Sequence, residues 1–460
     1  MLDRKTKIHL VGVGGIGMSA LAQVYADRGY TVSGSDLTDS SILDRLRKHG
    51  VVVSVGQKEA NVAGADLVVC STAIREDNPE RLAAARAQIP IWKRAQLLAD
   101  VLSDKRSIVV TGCHGKTTTS SMIAWMLSRL DLDPTILVGG EVEALGGNAV
   151  TGAGPWIVAE GDESDRSFLY LQPDIAVVTN VDFDHPDHYQ DLEDVRRANI
   201  EFLSHVRPGG TCVLCFDDEM TRHLVKSAPA PVLGYGFAQD AEIRATNWRE
   251  EPSHHSAEIV HGTKCLGTLS LQIAGRFNMQ NALAAVAVAR VLELDFDRAA
   301  KALADFPGVH RRMEFKGSAQ GVAVYDDYGH HPKEIAATLQ ALHLKAPGRK
   351  IVVFQPHRYN RTQRFAEAFA RELEAAETLI VTGIYAAGDR PIPGVSGRSI
   401  FDRIPSSVSR SYCETLKEAI DLLARIVQPG DTLLTIGAGD VHRVGEQLLA
   451  NLQKRSGETK

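Results

Sequence analysis

Two glycine-rich turns, each set between an apolar strand-like run and a helix-like stretch, constrain what this chain can fold into. The first is Gly12-Val13-Gly14-Gly15-Ile16-Gly17, which ends the run starting at Lys7 and precedes the helical spacing of Met18–Asp27. The second is Gly112-Cys113-His114-Gly115-Lys116-Thr117-Thr118-Thr119, which follows Ser107–Thr111. In a strand–turn–helix unit the backbone N–H groups at the helix start surround an anion. Glycines are needed there because a β-carbon blocks close approach of the chain to it. Strand-like and helix-like segments alternate through nearly the whole chain, the pattern of an α/β protein with parallel sheets.

At 460 residues the chain exceeds what one core supports. A charged break at Asp104-Lys105-Arg106 and a fresh block near Gly308–Arg312 divide it into domains 1–104, 105–309 and 310–460. In the first, Thr31–Ser35 and Leu67–Ser71 read as further strands. In the second, Trp156–Ala159 and Asp174–Thr179 read as strands and Asn278–Leu294 as a helix. Ala241–Trp248, Ser256–His261 and Lys264–Gln272 read as a small antiparallel sheet inserted there. In the third, strands are expected at Val322–Tyr325, Lys350–Phe354, Thr378–Thr382 and Thr432–Ile436, separated by helices over 332–345, 361–376 and 415–427. The tail Lys454–Lys460 is polar and expected to fray.

A net charge of −6 argues against a general nucleic-acid binder, which carries a basic excess. No apolar run reaches the roughly 18–20 residues that span a bilayer, and the N-terminus has no signal-peptide core. Six cysteines scattered over so long a chain indicate a reducing cytoplasm rather than a disulfide framework. Cys212 and Cys215 form a C-x-x-C, but three residues apart on a strand they point to opposite faces, so both are expected to be structural.

The second turn suits ATP. Lys116 supplies a point charge to the outer phosphates, and Thr117 or Thr118 can place a hydroxyl on Mg²⁺. The turn is shorter than G-x-x-x-x-G-K-[ST]: position 110 is Val, and Gly112 is the nearest upstream glycine. Cys113, lying in an anion-binding loop, is expected as a thiolate that ATP shields from alkylation. Two later strands end in acid: Glu160-Gly161-Asp162-Glu163-Ser164-Asp165, and the stretch from Asn180 through Asp182, Asp184, His185 and Asp187 to His188. Strand-end carboxylates beside a nucleotide turn favour magnesium, with His185 near or on the metal. A solvated acidic loop or a closed zinc site are the other readings.

The first turn satisfies G-x-G-x-x-G, and Asp36 follows 19 residues beyond Gly17. Alone this indicates a nicotinamide-dependent dehydrogenase. A UDP-sugar places its diphosphate on a helix N-terminus equally well, and ATP has no role in hydride transfer. A non-catalytic nucleotide sensor is a third reading.

The full series of motifs resembles the Mur ligase family. It runs Gly12–Ser19, Gly112–Thr119, Glu160–Asp165, Thr179–His185, Asn278–Asn281, Arg311-Arg312, Asp326–Pro332, Gln355–Thr362, Tyr385–Gly388 and Gly437–Asp440, in order across all three blocks. The resemblance implies a Rossmann-like UDP-sugar domain, a P-loop-type central ATPase domain and a Rossmann-like C-terminal domain that closes over the site. It is to the alanine-adding type. The implied reaction phosphorylates the lactoyl carboxylate of UDP-N-acetylmuramate with ATP and lets the amino group of L-alanine attack the acyl phosphate. The near rival is the recycling ligase that attaches a preformed tripeptide to the same UDP-sugar. The implied state is a monomer or homodimer.

By position, the resemblance places the UDP-sugar at Gly12, Gly14, Gly15, Ile16, Gly17, Asp36 and Ser71. It places ATP at Gly112, Cys113, His114, Gly115, Lys116, Thr117 and Thr118, with Asn278, Asn281 and Arg312. It implies Mg²⁺ at Thr117, Glu160 and His185. The catalytic set would be Lys116, Glu160, His185, Arg312 and Asp327, and the amino acid would meet Tyr328, His330, Arg358 and Arg361. Three departures stand out. Cys113 replaces a usual Thr, and Phe277 a common His. Asp191–Arg207 has no lysine to match the modified lysine of ligases acting later in the pathway.

Overall fold

The computed structural model describes residues 2–185, 188–251, 254–345 and 348–457. Asp187 and the last three residues of the polar tail therefore lie outside the described residues, while a helix, His442–Gly457, occupies most of the segment before them. Two compact units result. One is Met1–Arg249 with Ser256–Gln272 and Asn278–Pro307; the other is Glu250–His255 and Ile273–Phe277 with Gly308–Lys460.

The first unit holds two sheets. Strands β1 (Lys7–Val11), β2 (Thr31–Asp36), β3 (Val52–Val55), β4 (Leu67–Cys70) and β5 (Ile91–Lys93) lie in the order β3-β2-β1-β4-β5. All four pairings are parallel. Their centre is mostly apolar, with Leu67 to Cys70 a continuous run and Ile8, Leu10 and Val11 interrupted by buried His9, because helices cover both faces of such a sheet. The helix Ile16–Asp27 packs its Leu21, Val24 and Tyr25 into that core.

The second sheet has ten strands. They are β6 (Arg106–Thr111), β7 (Thr135–Val142), β8 (Gly147–Val150), β9 (Trp156–Glu160), β10 (Ile175–Val178), β11 (Thr211–Cys215), β12 (Val232–Gly236), β13 (Ile243–Glu250), β14 (His255–His261) and β15 (Lys264–Leu271). The order is β15-β14-β13-β12-β11-β10-β6-β9-β7-β8. Parallel β9 and β10 flank β6, with Val110 opposite Glu160 and Thr111 opposite Val178. The chain leaves β6 toward one edge and β10 toward the other, so the carboxyl ends of β6, β9 and β10 open on a topological switch point. The three strands expected as a separate small sheet instead continue this one. The pairing of β12 with β13 is parallel, Tyr235 opposite Ile243 and Gly236 opposite Arg244. The turn between them is held by Asp217, which accepts from the N–H groups of Phe237 and Ala238.

The β7–β8 hairpin joins the two sheets. Gln23 Nε2 donates to the Ala149 carbonyl at 3.0 Å, and Asn148 Nδ2 donates to the Ile16 carbonyl at 2.9 Å. Arg207 pins the charged break, donating to the carbonyls of Leu102 and Lys105 and to Asp174. Cys212 and Cys215 are both buried in β11, and burial pushes their thiols up to about 11 and about 12, as inert structural cysteines require.

In the second unit, β16 (Glu314–Ala319), β17 (Val322–Asp327), β18 (Lys350–Phe354), β19 (Thr378–Thr382), β20 (Ser409–Cys413) and β21 (Thr432–Ile436) form a sheet ordered β16-β17-β21-β18-β19-β20. It is parallel apart from the edge strand β16. The interior strands match expectation, whereas the polar edge strands β16 and β20 were not anticipated, since a half-solvated edge lacks an apolar run. Among the described residues no helix is long and apolar enough to cross a membrane.

One buried stack supports the acidic loop after β9: Phe168 lies against Phe202 with ring centroids 5.1 Å apart, and both are fully buried. Phe168→Ala is expected to cost about 3–5 kcal/mol. Calorimetry should show a clear fall in the unfolding midpoint, and an unchanged midpoint would remove the stack from the core.

Candidate functional site

The turn after β6 is shaped by crowding. Gly112 has φ +124° and Gly115 φ +79°, both in the left-handed region. A β-carbon on Gly112 would collide with Thr179 Oγ1 and sit 2.8 Å from the Asn180 carbonyl, and one on Gly115 would sit 2.7 Å from Asn281 Oδ1. Asn180 fixes the middle of the turn: its Oδ1 accepts from the His114 N–H at 2.9 Å, and its Nδ2 donates to the His114 carbonyl at 2.8 Å. Thr179 Oγ1 donates to the same carbonyl at 2.7 Å. The helix Lys116–Arg129 then opens with no side-chain cap, so its first N–H groups are those of an anion site.

Lys116 Nζ lies 2.7 Å from the Gly112 carbonyl and 2.9 and 2.8 Å from the two oxygens of Glu163. Burial works against its charge, but Glu163, Glu160 and Asp162 outweigh burial and hold the ammonium above its ordinary range. Glu160, at the end of β9, accepts from Thr117 Oγ1 and from the Gly139 N–H, each at 2.9 Å on Oε2. Burial raises its pKa, with Lys116 and Thr117 opposing. A buried carboxylate touching a threonine hydroxyl is a pair of hard oxygen donors, which fits Mg²⁺.

His185 adopts φ +57°, with Nε2 3.6 Å from Glu163 Oε1 and 3.5 Å from Asp184 Oδ2. Glu163 thus stands between Lys116 and His185, a position its motif made visible but whose role spacing did not reveal. His114 Nε2 lies 3.5 Å from Asp182. Thr118 is buried in the helix, and Thr119 Oγ1 donates to Asn281 Oδ1 at 3.1 Å, while Asn281 Nδ2 reaches Asn278 Oδ1 at 3.4 Å. The asparagine pair therefore stands against the turn.

Cys113 does not conform to the expected thiolate. Its Sγ donates to the Asp182 carbonyl at 3.0 Å and accepts from the Asp182 N–H at 3.2 Å. Burial, followed by the Glu163 carboxylate, pushes the thiol well above its usual range, and Lys116 does not compensate. Lys116 draws the thiol down, but burial and Glu163 together outweigh it.

At the first turn, the N–H groups of Gly12 and Val13 both donate to the Ser35 carbonyl at 2.9 Å. The Gly14 N–H donates to Asp36 Oδ2 at 2.9 Å, and a β-carbon on Gly14 would lie 2.8 Å from that oxygen. Asp36 Oδ1 accepts from the Leu37 N–H. Each oxygen of this carboxylate thus accepts one N–H at the strand end and loop. Gly15 precedes the helix Ile16–Asp27, which again has no side-chain cap, and Ser71 at the end of β4 faces Gly12. Gly17 abuts Arg94, whose Cδ and Nη1 would lie 3.2 Å from a β-carbon there. Arg94 Nη2 also donates to Asp162 Oδ2 at 3.2 Å, so one guanidinium touches both turns' surroundings. Burial raises Asp162, but Arg94 and Lys116 hold it below the usual carboxylate range. Nothing in the spacing marks Arg94; it follows a strand of three residues at the start of a helix.

The second unit has its own cluster. Asp327 is buried and accepts from the N–H groups of Met313 and Gly329 at 2.8 and 2.7 Å and from Thr338 Oγ1 at 3.2 Å. Burial pushes it up to about 6, against Arg312 and these donors. Arg311 is the more deeply tied arginine, donating to Asp326 and to the carbonyls of Gly437 and Gly439. Arg312 lies over the Tyr328 ring at 5.3 Å. Tyr328 meets His330 edge-on, His330 meets His357, and His357 stacks on Tyr385. Burial, then His330, Arg361 and Arg358, holds the His357 imidazole down at about 3, so it is neutral. Arg358 has φ +64° and donates its N–H to the Tyr385 carbonyl, and Arg361 is buried on the helix Tyr359–Leu373. His330, Arg358 and Arg361 therefore lie about His357, with Tyr328 against His330, and sequence spacing did not single His357 out.

A protonated, hydrogen-bonded Cys113 should react slowly with iodoacetamide at neutral pH, and exposed Cys265 should label first. Mass mapping that found Cys113 labelled as fast as Cys265 would restore the thiolate.

Family models match the chain along three stretches: "Mur ligase family, catalytic domain" over residues 7–106, "Mur ligase middle domain" over 110–289 and "Mur ligase, glutamate ligase domain" over 311–439. A UDP-N-acetylmuramate–L-alanine ligase of Syntrophobacter fumaroxidans is 45% identical, covering 99% of this chain and 98% of that protein. Another, of Rubrobacter xylanophilus, is 46% identical, covering 97% of this chain and 100% of its own length. Among solved structures, UDP-N-acetylmuramate-alanine ligase MurC from Thermotoga maritima has a TM-score of 0.85 at 31% identity, covering 98% of this chain and 99% of that one. Matched in order along three stretches and by full-length relatives, the chain belongs to the Mur ligase family.

Proposed function

We propose that this chain is an ATP-dependent ligase of peptidoglycan precursor synthesis, joining the lactoyl carboxylate of UDP-N-acetylmuramate to the amino group of L-alanine. The carrying observation is the ammonium of Lys116, held charged at a turn closed by Gly112 and Gly115 and bordered by Glu160 and Glu163. The relatives' names supply the substrates.

A free carboxylate is a poor electrophile because its oxygen leaves badly. Transfer of the γ-phosphoryl group of ATP to that oxygen releases ADP and gives an acyl phosphate. The amine of L-alanine attacks the acyl carbon, the C–O bond to phosphate breaks, and amide and phosphate result. Phosphoryl transfer is catalysed chiefly by positioning and positive charge. Lys116 and the first N–H groups of the helix Lys116–Arg129 hold the phosphate oxygens, with Asn278 and Asn281 on the nucleotide. Thr117 and Glu160 would hold Mg²⁺, with His185 beside them; the ion would supply charge that screens the phosphates.

In the domain reading, residues 1–104 hold the UDP-sugar at Gly12, Gly14, Gly15, Ile16, Gly17, Asp36 and Ser71, residues 105–309 hold ATP, and residues 310–460 hold the amino acid. The second nucleotide turn at Gly112–Thr119 favours a UDP-sugar over a nicotinamide dinucleotide at the first, since ATP has no role in hydride transfer. Tyr328, His330, Arg358 and Arg361 are assigned to L-alanine, since an arginine fork suits its carboxylate. Arg312 and Asp327 are assigned to the chemical step.

An ADP-release assay with UDP-N-acetylmuramate should proceed with L-alanine and not with the tripeptide L-alanyl-γ-D-glutamyl-meso-diaminopimelate. Preference for the tripeptide would transfer the reading to the recycling ligase, and NADH oxidation would sink both. Lys116→Ala should lower turnover by at least about 100-fold while UDP-N-acetylmuramate still binds. Undiminished turnover would remove the turn from the mechanism.

A further inference from the structure

Beneath the first glycine loop lies a carboxylate with no part in the chemistry above. Glu80 sits at the start of the helix Pro79–Arg86 and is 0% exposed. Asn78 Oδ1 caps that helix, accepting from the Glu80 and Arg81 N–H groups. Glu80 Oε2 accepts from Ser35 Oγ at 2.6 Å and lies 3.4 Å from His9 Nε2. Its Oε1 accepts from the Lys58 N–H at 3.2 Å and from Asn61 Nδ2. His9, also buried, turns its Nδ1 to Ser33 Oγ at 2.9 Å. Burial opposes the charge on Glu80, but these donors outweigh it and hold the carboxyl below its ordinary range.

A buried ionised group of this kind is a weak source of stability, because desolvation cancels most of the attraction. Its effect is on position. Ser35 and Asp36 end β2, and they hold the loop above them. The Ser35 carbonyl takes the N–H groups of Gly12 and Val13, and the Asp36 carboxylate takes that of Gly14. The same two residues are held from below. Glu80 grips the Ser35 hydroxyl, and the Asp36 carbonyl accepts from Gly56, whose own carbonyl accepts from Asn61 Nδ2. Asn61 bridges back to Glu80, which closes the network.

We propose that Glu80 is a positioning residue for UDP-sugar binding: through Ser35 it fixes the strand end that occupies the Gly12, Val13 and Gly14 amides, and so sets the remaining amides at the start of the helix Ile16–Asp27 against the diphosphate. This rests on the UDP-sugar reading of the loop. The carboxylate is matched to a set of donors, and neither Lys58 N–H nor Asn61 Nδ2 can reverse its role. A glutamine there keeps its oxygen on Lys58 N–H and Asn61 Nδ2 and turns its N–H groups to Ser35 Oγ, which can accept, whereas an alanine removes both oxygens and with them the link to the strand end.

Glu80→Ala is expected to raise the KM for UDP-N-acetylmuramate about 10-fold, with the KM for ATP and kcat within about two-fold. Ser35→Ala, which cuts the same link with a smaller change, should reproduce the split and decides the matter if Glu80→Ala does not fold. Equal rises in both KM values, or no rise, would reduce Glu80 to a packing residue and overturn the proposal. Calorimetric titration of the unaltered protein with UDP-N-acetylmuramate separates the two claims. No binding there sinks the UDP-sugar reading, whereas binding with the same Kd in Ser35→Ala sinks only the role of Glu80.

Discussion

The ammonium of Lys116 is what allows Glu160, Asp162 and Glu163 to share one strand-end pocket. Carboxylates brought this close repel one another, and an opposite charge among them offsets that repulsion. Lys116 touches Glu163 directly and acts on the other two through space. Its own charge survives burial for the same reason in reverse. The position of the lysine follows from the turn, because Gly112 and Gly115 are the residues that fit between Thr179, Asn180 and Asn281.

The first loop is built on the same economy of N–H groups, with different means. Its early amides are consumed by the end of β2, and the helix start is left uncapped. The second turn consumes its middle residue, His114, through Asn180 and Thr179. In both, groups at the end of a neighbouring strand decide which amides remain for a ligand. Arg94 joins the two: it lies on Gly17 and pairs with Asp162, whose carboxylate also feels Lys116.

The interior strands were legible because parallel strands covered on both faces are mostly apolar; β4, β6 and β18 carry unbroken apolar stretches. The edge strands β16 and β20 were not, since their exposed sides are polar. The strands after residue 240 were recognised as strands but assigned to a sheet of their own. Their attachment to β12 depends on a turn held by Asp217, a contact between residues distant in sequence. Lys116, Thr117, Glu160 and Asn281 were found by motif and do stand together. The expected charge on Cys113 is not supported, because burial, with Glu163 beside it, pushes the thiol up more than Lys116 draws it down.

By itself the sequence determined the α/β class, the two glycine turns and the family, because each depends on local order: apolar runs, residues free of a β-carbon, and motifs at set intervals. The tertiary structure alone decided which charges neutralise which. Glu163 on Lys116, Arg94 on Asp162 and Glu80 on Ser35 link residues 45–68 positions apart. Electrostatic and hydrogen-bond energies depend on distance in space and on exclusion of water, and neither is written in the order of residues along a chain.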